Sequence, residues 1–261
     1  MKRTIMTFVV VLAGLSSCRK EPAGVPAIRV AAAADLAFAF EEMARAFEAE
    51  HGTKVELILG STGLLARQIA EGAPFDLFAA ANVSFANSVV KAGACDGSTQ
   101  ALYGRGRIVL WTMASRPAGF APKTVKDLAK PEFVKIAIAN PEHAPYGQAA
   151  KEALITAGVW DAVSPRLVYG QNVQQTWQFA KTGNAEVAIV ALSLAMVGKD
   201  GNYVLIDERE HEPIDQALVV CTGGKSTAAA RKFALFVNAE KGRSIMRKYG
   251  FLLPGEAALS P

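Results

Sequence analysis

Residues 28–52 read IRVAAAADLAFAFEEMARAFEAEHG and indicate the fold class of the chain. The run Ile28–Ala33 is short and almost continuously apolar, as expected of a strand that is buried on both faces. After Asp35, apolar side chains recur every three or four residues, which is the spacing of one helix face, and glutamates lie on the other side. The pattern ends at Gly52. The stretch therefore predicts a buried strand that turns directly into an amphipathic helix.

The same alternation continues along the chain. Further strands are predicted at residues 55–59, 76–80, 108–113, 135–139, 187–191, 203–206 and 218–221. Helices are predicted at about 62–71, 147–157 and 173–182, and a C-terminal pair is built on Phe233, Phe236, Val237, Ile245 and Met246. Because strands and helices alternate, we expect an α/β fold with largely parallel sheets.

The composition limits the possible classes of protein. Of the 261 residues, 51% are hydrophobic and 20% are charged, so the chain can bury a sizeable core and is not a disordered protein. The 28 lysines and arginines exceed the 24 aspartates and glutamates by four. That surplus is too small to indicate a surface for nucleic acid. Three cysteines do not make a disulfide framework.

The first 26 residues have the pattern of an export signal followed by a tether. Two basic residues precede an apolar run, 5–15, that is too short to span a bilayer as a helix. The next tetrad, Leu-Ser-Ser-Cys, resembles a bacterial lipobox, in which Cys18 carries lipid and becomes the first mature residue. We therefore expect a lipoprotein signal peptide at 1–17 and a polar tether at 18–26. The alternatives are a plain signal peptide with an incidental cysteine and an uncleaved anchor.

Four predicted strand-to-helix turns carry the functional signal. They contain small residues, hydroxyls and amides but no lysine or arginine, and they span residues 33–35, 60–63, 145–147 and 170–173. The carboxyl ends of parallel strands meet at one edge of a sheet, where helix N-termini offer unpaired N–H groups and partial positive charge. Four such turns together predict an anion site made of neutral donors. Taken singly, each also fits an ordinary helix N-cap.

At these turns the chain resembles a known family. The blocks VAAAADLAFAFEEMARAF, GSTGLLARQIAEGAPFDLFAAA, IAIANPEHAPYGQAAKEAL and QNVQQTWQF, followed by VAIVALSLA, are similar to those of the periplasmic molybdate-binding proteins of ABC importers. The similarity extends from about Ile28 to the closing KYGFLLP. It implies the fold of a type II periplasmic binding protein, in which two α/β lobes are joined by two crossover strands. The implied lobes are 27–105 plus 213–261, and 106–212.

The resemblance also implies which residues contact the oxyanion, through backbone N–H groups and hydroxyls. The matching positions are Ala34, Asp35, Ser61, Thr62, Tyr146 and Val173. Thr62 matches a family hydroxyl, Val173 matches a backbone contact, and Tyr146 matches a position that supplies a phenol in some members and only an N–H in others. A tyrosine hydroxyl used by part of the family falls on Ala191 and is absent, so we expect Tyr146 to replace it.

Asp35 departs from the family pattern, because a carboxylate that faces a fully ionised oxyanion repels it. Two interpretations remain open. Asp35 turns its side chain away to cap its helix and offers only its N–H, or the site accepts a protonated anion such as hydrogen phosphate, whose proton the carboxylate binds. Molybdate, tungstate and sulfate carry no proton at neutral pH and require donors only. We expect the capping arrangement.

Cys95 and Cys221 lie far apart in the sequence, in an oxidising compartment if the chain is exported. We expect two buried thiols rather than a disulfide.

Three classes of function follow from these observations. The first is a lipid-anchored solute-binding protein, in the periplasm or at the cell surface, that captures molybdate and also tungstate for an ABC permease in the inner membrane. The second is the same scaffold with another oxyanion, such as phosphate or sulfate. The third is an extracytoplasmic enzyme or sensor, which the lack of a paired nucleophile and base argues against. We expect a monomer with no catalytic residue and no cofactor, in which molybdate itself is the bound metal species.

Overall fold

The structure is a computed structural model that describes residues 27–256. The predicted signal peptide, Cys18 and the tether up to residue 26 lie outside the described residues, as do residues 257–261. Within the described part, no helix has both the length and the apolar character needed to cross a membrane.

The first sheet has five strands in the order β2-β1-β3-β10-β4. These strands are β1 Ile28–Ala33, β2 Val55–Gly60, β3 Leu77–Ala80, β4 Ala101–Gly106 and β10 Ile214–Val220. Strand β1 is parallel to both β2 and β3, whereas β10 is antiparallel to β3 and β4. The sheet is therefore mixed, with its parallel part formed by the first three strands.

The second sheet also has five strands, in the order β7-β6-β8-β5-β9. They are β5 Ile108–Met113, β6 Ile136–Ala139, β7 Leu167–Gly170, β8 Val187–Ala191 and β9 Gly201–Leu205. Strand β6 pairs in parallel with β7 and β8, and β5 is antiparallel to β8 and β9. In both sheets, three strands that pair in parallel form one side, and antiparallel pairing joins the last two strands on the other side.

Helices pack against these sheets. The described helices are α1 Ala37–His51, α2 Thr62–Ala70, α3 Val83–Lys91, α4 Pro145–Thr156, α5 Trp160–Val163, α6 Val173–Lys181, α7 Leu192–Ala195, α8 Thr227–Asn238 and α9 Glu240–Lys248. Helix α1 follows the predicted pattern, since Phe40, Met43 and Phe47 are fully buried. Burying such a side chain contributes roughly 1.5–3 kcal/mol to folding. Gly52 ends the helix in the left-handed conformation, at φ 66°.

The chain passes from the first sheet to the second between Gly106 and Ile108, and it returns between Leu205 and Ile214. The implied lobe boundary 212/213 falls within the second passage, and the implied boundary 105/106 lies at the last residue of β4, just before the first passage. The division into lobes remains a prediction. Side chains from both parts share one buried core.

The sheets are mixed rather than uniformly parallel. In each sheet one strand, β10 or β5, runs antiparallel to its neighbours, and the other four strands share one direction. Two strands, β4 and β7, were also absent from the expected set. Both lie at sheet edges and are partly exposed, and β4 (ALYGRG) includes two glycines and an arginine. An edge strand needs no continuous apolar run, so neither strand produces the pattern of a buried one.

The expectation of two free thiols is also wrong, since Cys95 and Cys221 form a disulfide. The two residues are partners in an antiparallel bridge beyond the end of β10, where the amide of Asp96 also donates to the carbonyl of Val220. Their separation of 126 residues conceals this pairing in the sequence, because only the return of β10 to the first sheet brings them together.

Candidate functional site

A small cavity lies where the two sheets face each other, at the carboxyl ends of β1 and β2. Its lining residues are Ala33, Ala34, Asp35, Gly60, Ser61, Thr62, Ala81, Ala144, Pro145, Tyr146, Asn172 and Val173. The cavity volume is about 10 Å³, which is close to the space that one water molecule needs.

The cavity brings together all four predicted turns. Each of the six residues expected to contact an oxyanion is among the lining residues, and Ala191 is not. Turns from the first sheet supply Asp35 and Thr62, and turns from the second supply Tyr146 and Val173. The grouping follows from the topology, because parallel strands deliver their following turns to one edge of each sheet.

Three helices begin at the cavity wall. Thr62 and Val173 are the first residues of α2 and α6, and Tyr146 is the second residue of α4, after Pro145. The N–H groups of a first helical turn have no partner inside the helix, and the helix dipole places partial positive charge there. No lysine or arginine lines the cavity in the described part of the chain. The site therefore offers neutral donors to a negatively charged ligand.

The hydroxyl of Thr62 has a proton without an acceptor. Its Oγ1 accepts a hydrogen bond from the amide of Ala81 at 3.3 Å, which orients the hydroxyl. Among the described residues, no group accepts the Thr62 proton, although the residue is 99% buried. A buried hydroxyl normally donates as well as accepts. Thr62 is therefore a donor that is ready for a ligand oxygen.

The hydroxyl of Ser61 is used differently. It donates to the carbonyl oxygen of His143 at 2.7 Å, and the same Oγ lies 2.8 Å from the His143 Nδ1. The amide of Gly63 donates to the same carbonyl at 2.9 Å. A Cβ added at Gly63 would lie 2.8 Å from that oxygen, so only glycine permits this approach. These contacts join the turn before α2 to the turn before α4, across the two sheets.

Asp35 does not cap its helix, so the expected capping arrangement is wrong. The side chain makes no cap hydrogen bond, and its Oδ2 instead accepts from the Tyr146 hydroxyl at 2.8 Å and from the Gln216 Nε2 at 2.7 Å. Its Oδ1 is buried and has no partner among the described residues. The physical reason is position: Asp35 lies inside a short 3₁₀ turn, where its carboxyl group faces β10 and α4.

Burial controls the ionisation of this group. It raises the pKa of the Asp35 carboxyl from its ordinary value of 3.8 to about 6, although the bonds from Gln216 and Tyr146 act to lower it. Burial, together with the nearby Asp35 charge, also holds the pKa values of Tyr103 and Tyr146 well above 10. Both phenols therefore remain protonated, and the Tyr146 proton is directed at Asp35 rather than at a ligand.

Two residues of this network were not predicted. Gln216 donates to Asp35 and, at 3.1 Å, to the Tyr146 hydroxyl, and the Ser193 hydroxyl donates to the Asp35 carbonyl at 2.7 Å. Gln216 is fully buried in β10 (IDQALVV). Its position beside a run of apolar residues, with only Asp215 as another polar residue of the strand, is the signal that identifies it, because an unpaired buried amide is costly.

Gly106, at the passage between the sheets, completes the enclosure. A Cβ added there would overlap the Tyr146 hydroxyl and come within 2.9 Å of the Gln216 Nε2. A glycine at this position therefore allows the three polar side chains to meet.

The comparisons with known proteins agree with this fold. Residues 28–252 match the sequence profile of the bacterial extracellular solute-binding proteins. The chain is 35% identical to the molybdate-binding protein ModA of Azotobacter vinelandii over 244 residues, which cover 92% of this chain and 94% of the relative. It is 32% identical to the putative ABC transporter substrate-binding lipoprotein YvgL of Bacillus subtilis over 86% of this chain and 85% of that one.

A solved structure leads to the same assignment. The structure of the periplasmic molybdate-binding protein of Azotobacter vinelandii superposes with a TM-score of 0.82 at 28% identity, covering 87% of this chain and 99% of that one. The two mixed α/β sheets are those of a periplasmic binding protein, as the sequence resemblance implied. The chain belongs to the family of bacterial extracellular solute-binding proteins.

Proposed function

We propose that this protein captures molybdate in the cavity between its two sheets and delivers it to an ABC permease, and that it also accepts tungstate. The observation that carries the proposal is the buried Thr62 hydroxyl, whose proton has no acceptor within the described chain although it lines the cavity. The N-termini of α2, α4 and α6 add further neutral donors. The choice of molybdate as the anion rests on the similar proteins, which are named as molybdate-binding proteins.

Capture is proposed to work by closure of two lobes, 27–105 plus 213–261 and 106–212. The bonds of Ser61 and Gly63 to His143 join the two parts directly beside the cavity, as does the bond of Tyr146 to Asp35. An anion that accepts hydrogen bonds from both sides shifts an open-to-closed equilibrium, since it binds the closed arrangement better. No covalent step is involved.

A second candidate is the same closure around another oxyanion. The specific observation in its favour is the unpartnered Oδ1 of Asp35, because an ionised carboxylate there can accept a hydrogen bond from the hydroxyl of hydrogen phosphate. Sulfate, which carries no proton, fits the neutral donors as molybdate does and differs from it in size.

The protein is further proposed to be exported as a monomer and anchored by lipid at Cys18. The lipobox-like tetrad supports the anchor, and a relative that is named a lipoprotein is consistent with it. Replacing Cys18→Ala should release the protein from membranes in a sedimentation assay. If the variant still sediments with membranes, another mode of attachment operates.

Calorimetric titration tests the proposed ligand. The protein, purified without its leader, is titrated separately with molybdate, tungstate, sulfate and phosphate at pH 7. We expect one molybdate and one tungstate per chain, with weaker heat or none from sulfate and phosphate. Clear heat from phosphate together with none from molybdate would reverse the order of the two candidates.

A further inference from the structure

The carboxyl group of Asp35 is an unusual neighbour for an anion. The residue is 99% buried, lines the cavity and has one oxygen, Oδ1, without any hydrogen-bond partner among the described residues. The other oxygen, Oδ2, already accepts two hydrogen bonds, from Tyr146 and Gln216. Only Oδ1 is therefore left for contact with a ligand.

No nearby positive charge balances this carboxylate. The groups that face it are the phenols of Tyr146 on α4 and Tyr103 on β4 and the amide of Gln216 on β10. The hydroxyl of Ser193 on α7 bonds to the backbone carbonyl of Asp35 and not to its carboxylate. Gly60 at the end of β2, Val173 at the start of α6 and Asn172 just before it line the cavity and carry no ionisable side chain. Among the described residues, Asp35 is thus the one carboxyl group at the cavity wall. Its protonation state is therefore the one that a bound anion can change.

An ionised Asp35 and a doubly charged anion repel each other strongly, since the low-polarity surroundings weaken the interaction far less than bulk water does. Protonation removes the repulsion. It also converts Oδ1 from an acceptor into a donor, which is what an anion without a proton requires. Because burial already raises the pKa of this carboxyl to about 6, the proton is acquired easily near neutral pH.

We propose that Asp35 takes up one proton when a dianion binds, and that its Oδ1 then donates this proton in a hydrogen bond to the bound anion. The proposal rests on the proposed oxyanion function and deepens it. The proton comes from solvent: an ionised carboxylate, one proton and one dianion become a neutral carboxyl group beside the dianion. No bond of the anion breaks, and nothing is oxidised or reduced.

This step distinguishes anions by their protons. Molybdate, which arrives without a proton, draws one from solvent onto Asp35. Hydrogen phosphate carries a proton of its own and satisfies the ionised Oδ1 without net uptake. Asp35 is therefore a specificity-determining residue whose signature is the number of protons taken up, and that number depends on the anion.

Calorimetry at several pH values, in buffers of different ionisation enthalpy, measures this number directly. For molybdate at pH 8 we expect about one proton taken up per anion and, between pH 7 and 8, a fall of about tenfold in affinity, as proton linkage requires. The variant Asp35→Asn cannot ionise, so its proton number should be near zero and its affinity should be flat with pH. The exposed Asp161→Asn is the matched control and should retain the wild-type slope.

The outcomes separate the two levels of the proposal. If the wild type binds molybdate with no proton uptake and an affinity independent of pH, the role of Asp35 is refuted while the oxyanion function stands. An unchanged pH slope in Asp35→Asn refutes it as well. If molybdate does not bind at any pH from 6 to 8.5, the proposed capture of molybdate itself fails. The proton number of the wild type decides the question even if Asp35→Asn does not fold.

Discussion

Replacing Asp35→Asn should stabilise the protein at high pH in the absence of any anion. The amide keeps a carbonyl oxygen for the bonds from Tyr146 and Gln216 but does not ionise. In the wild type, folding raises the pKa of this carboxyl from 3.8 to about 6. A shift of about two units corresponds to about 3 kcal/mol, because one unit is worth about 1.4 kcal/mol.

The sign follows from which state binds the proton more tightly. The folded state does, so the stabilising effect of the proton is complete below pH 4 and is lost as the pH rises through about 6. Above that pH the wild type must hold a buried charge that the variant lacks. Between pH 4 and pH 8, the free energy of unfolding of the variant should therefore increase relative to that of the wild type by up to about 3 kcal/mol.

Thermal unfolding of both proteins at pH 4, 5, 6, 7 and 8, without anion, measures this shift. For a domain of this size, 3 kcal/mol corresponds to a relative change of roughly 6–12 °C in Tm across the series. The exposed Asp161→Asn serves as the control and should follow the wild type at every pH. A difference between Asp35→Asn and the wild type that stays constant from pH 4 to 8 would refute the assignment of a buried, titrating carboxyl.

Three further predictions concern the neighbouring contacts. Tyr146→Phe removes one hydrogen-bond donor to the Asp35 carboxylate, so the pKa of Asp35 in the folded protein should rise further. The same series of unfolding measurements follows this pKa, and an unchanged value would contradict the hydrogen bond between Tyr146 and Asp35. Gly63→Ala places a Cβ 2.8 Å from the carbonyl oxygen of His143. This close contact should weaken anion binding, measured by calorimetry, by about 1–3 kcal/mol. An affinity equal to that of the wild type would show that the approach of Gly63 to His143 is not needed for closure. Reducing the disulfide between Cys95 and Cys221 should cost about 2–4 kcal/mol of stability in denaturant unfolding, and a stability that is insensitive to reductant would contradict its presence.

The convergence of the four turns was predictable from the sequence, because it depends on local patterns. Three of the turns follow a predicted apolar strand, and the fourth follows β7, which was not predicted. All four precede a predicted helix, and parallel pairing then places the turns at one edge. Thr62 and Val173 lie where that reasoning places them, at the starts of α2 and α6. Nothing beyond the order of strands and helices was needed for this part.

The partners of Asp35 were not predictable in the same way. The carboxyl group bonds to Tyr146, 111 residues away, and to Gln216, 181 residues away. Such pairs depend on how β10, the strand that returns to the first sheet, packs against the start of α4. The spacing of apolar residues along the sequence does not determine this packing. An aspartate at the start of a helix commonly caps that helix. In this protein, burial of Asp35 against β10 overrides the preference for capping. Cys95 and Cys221 were missed for the same reason.

Titration of two variants with molybdate tests the oxyanion site most directly. Thr62→Val removes the buried donor with little change of shape, and Thr62→Ser keeps the hydroxyl. We expect Thr62→Val to lose about 1–3 kcal/mol of binding free energy, because it leaves one anion oxygen without a donor, and Thr62→Ser to bind nearly as tightly as the wild type. Equal molybdate affinity in Thr62→Val and wild type would contradict binding at this cavity.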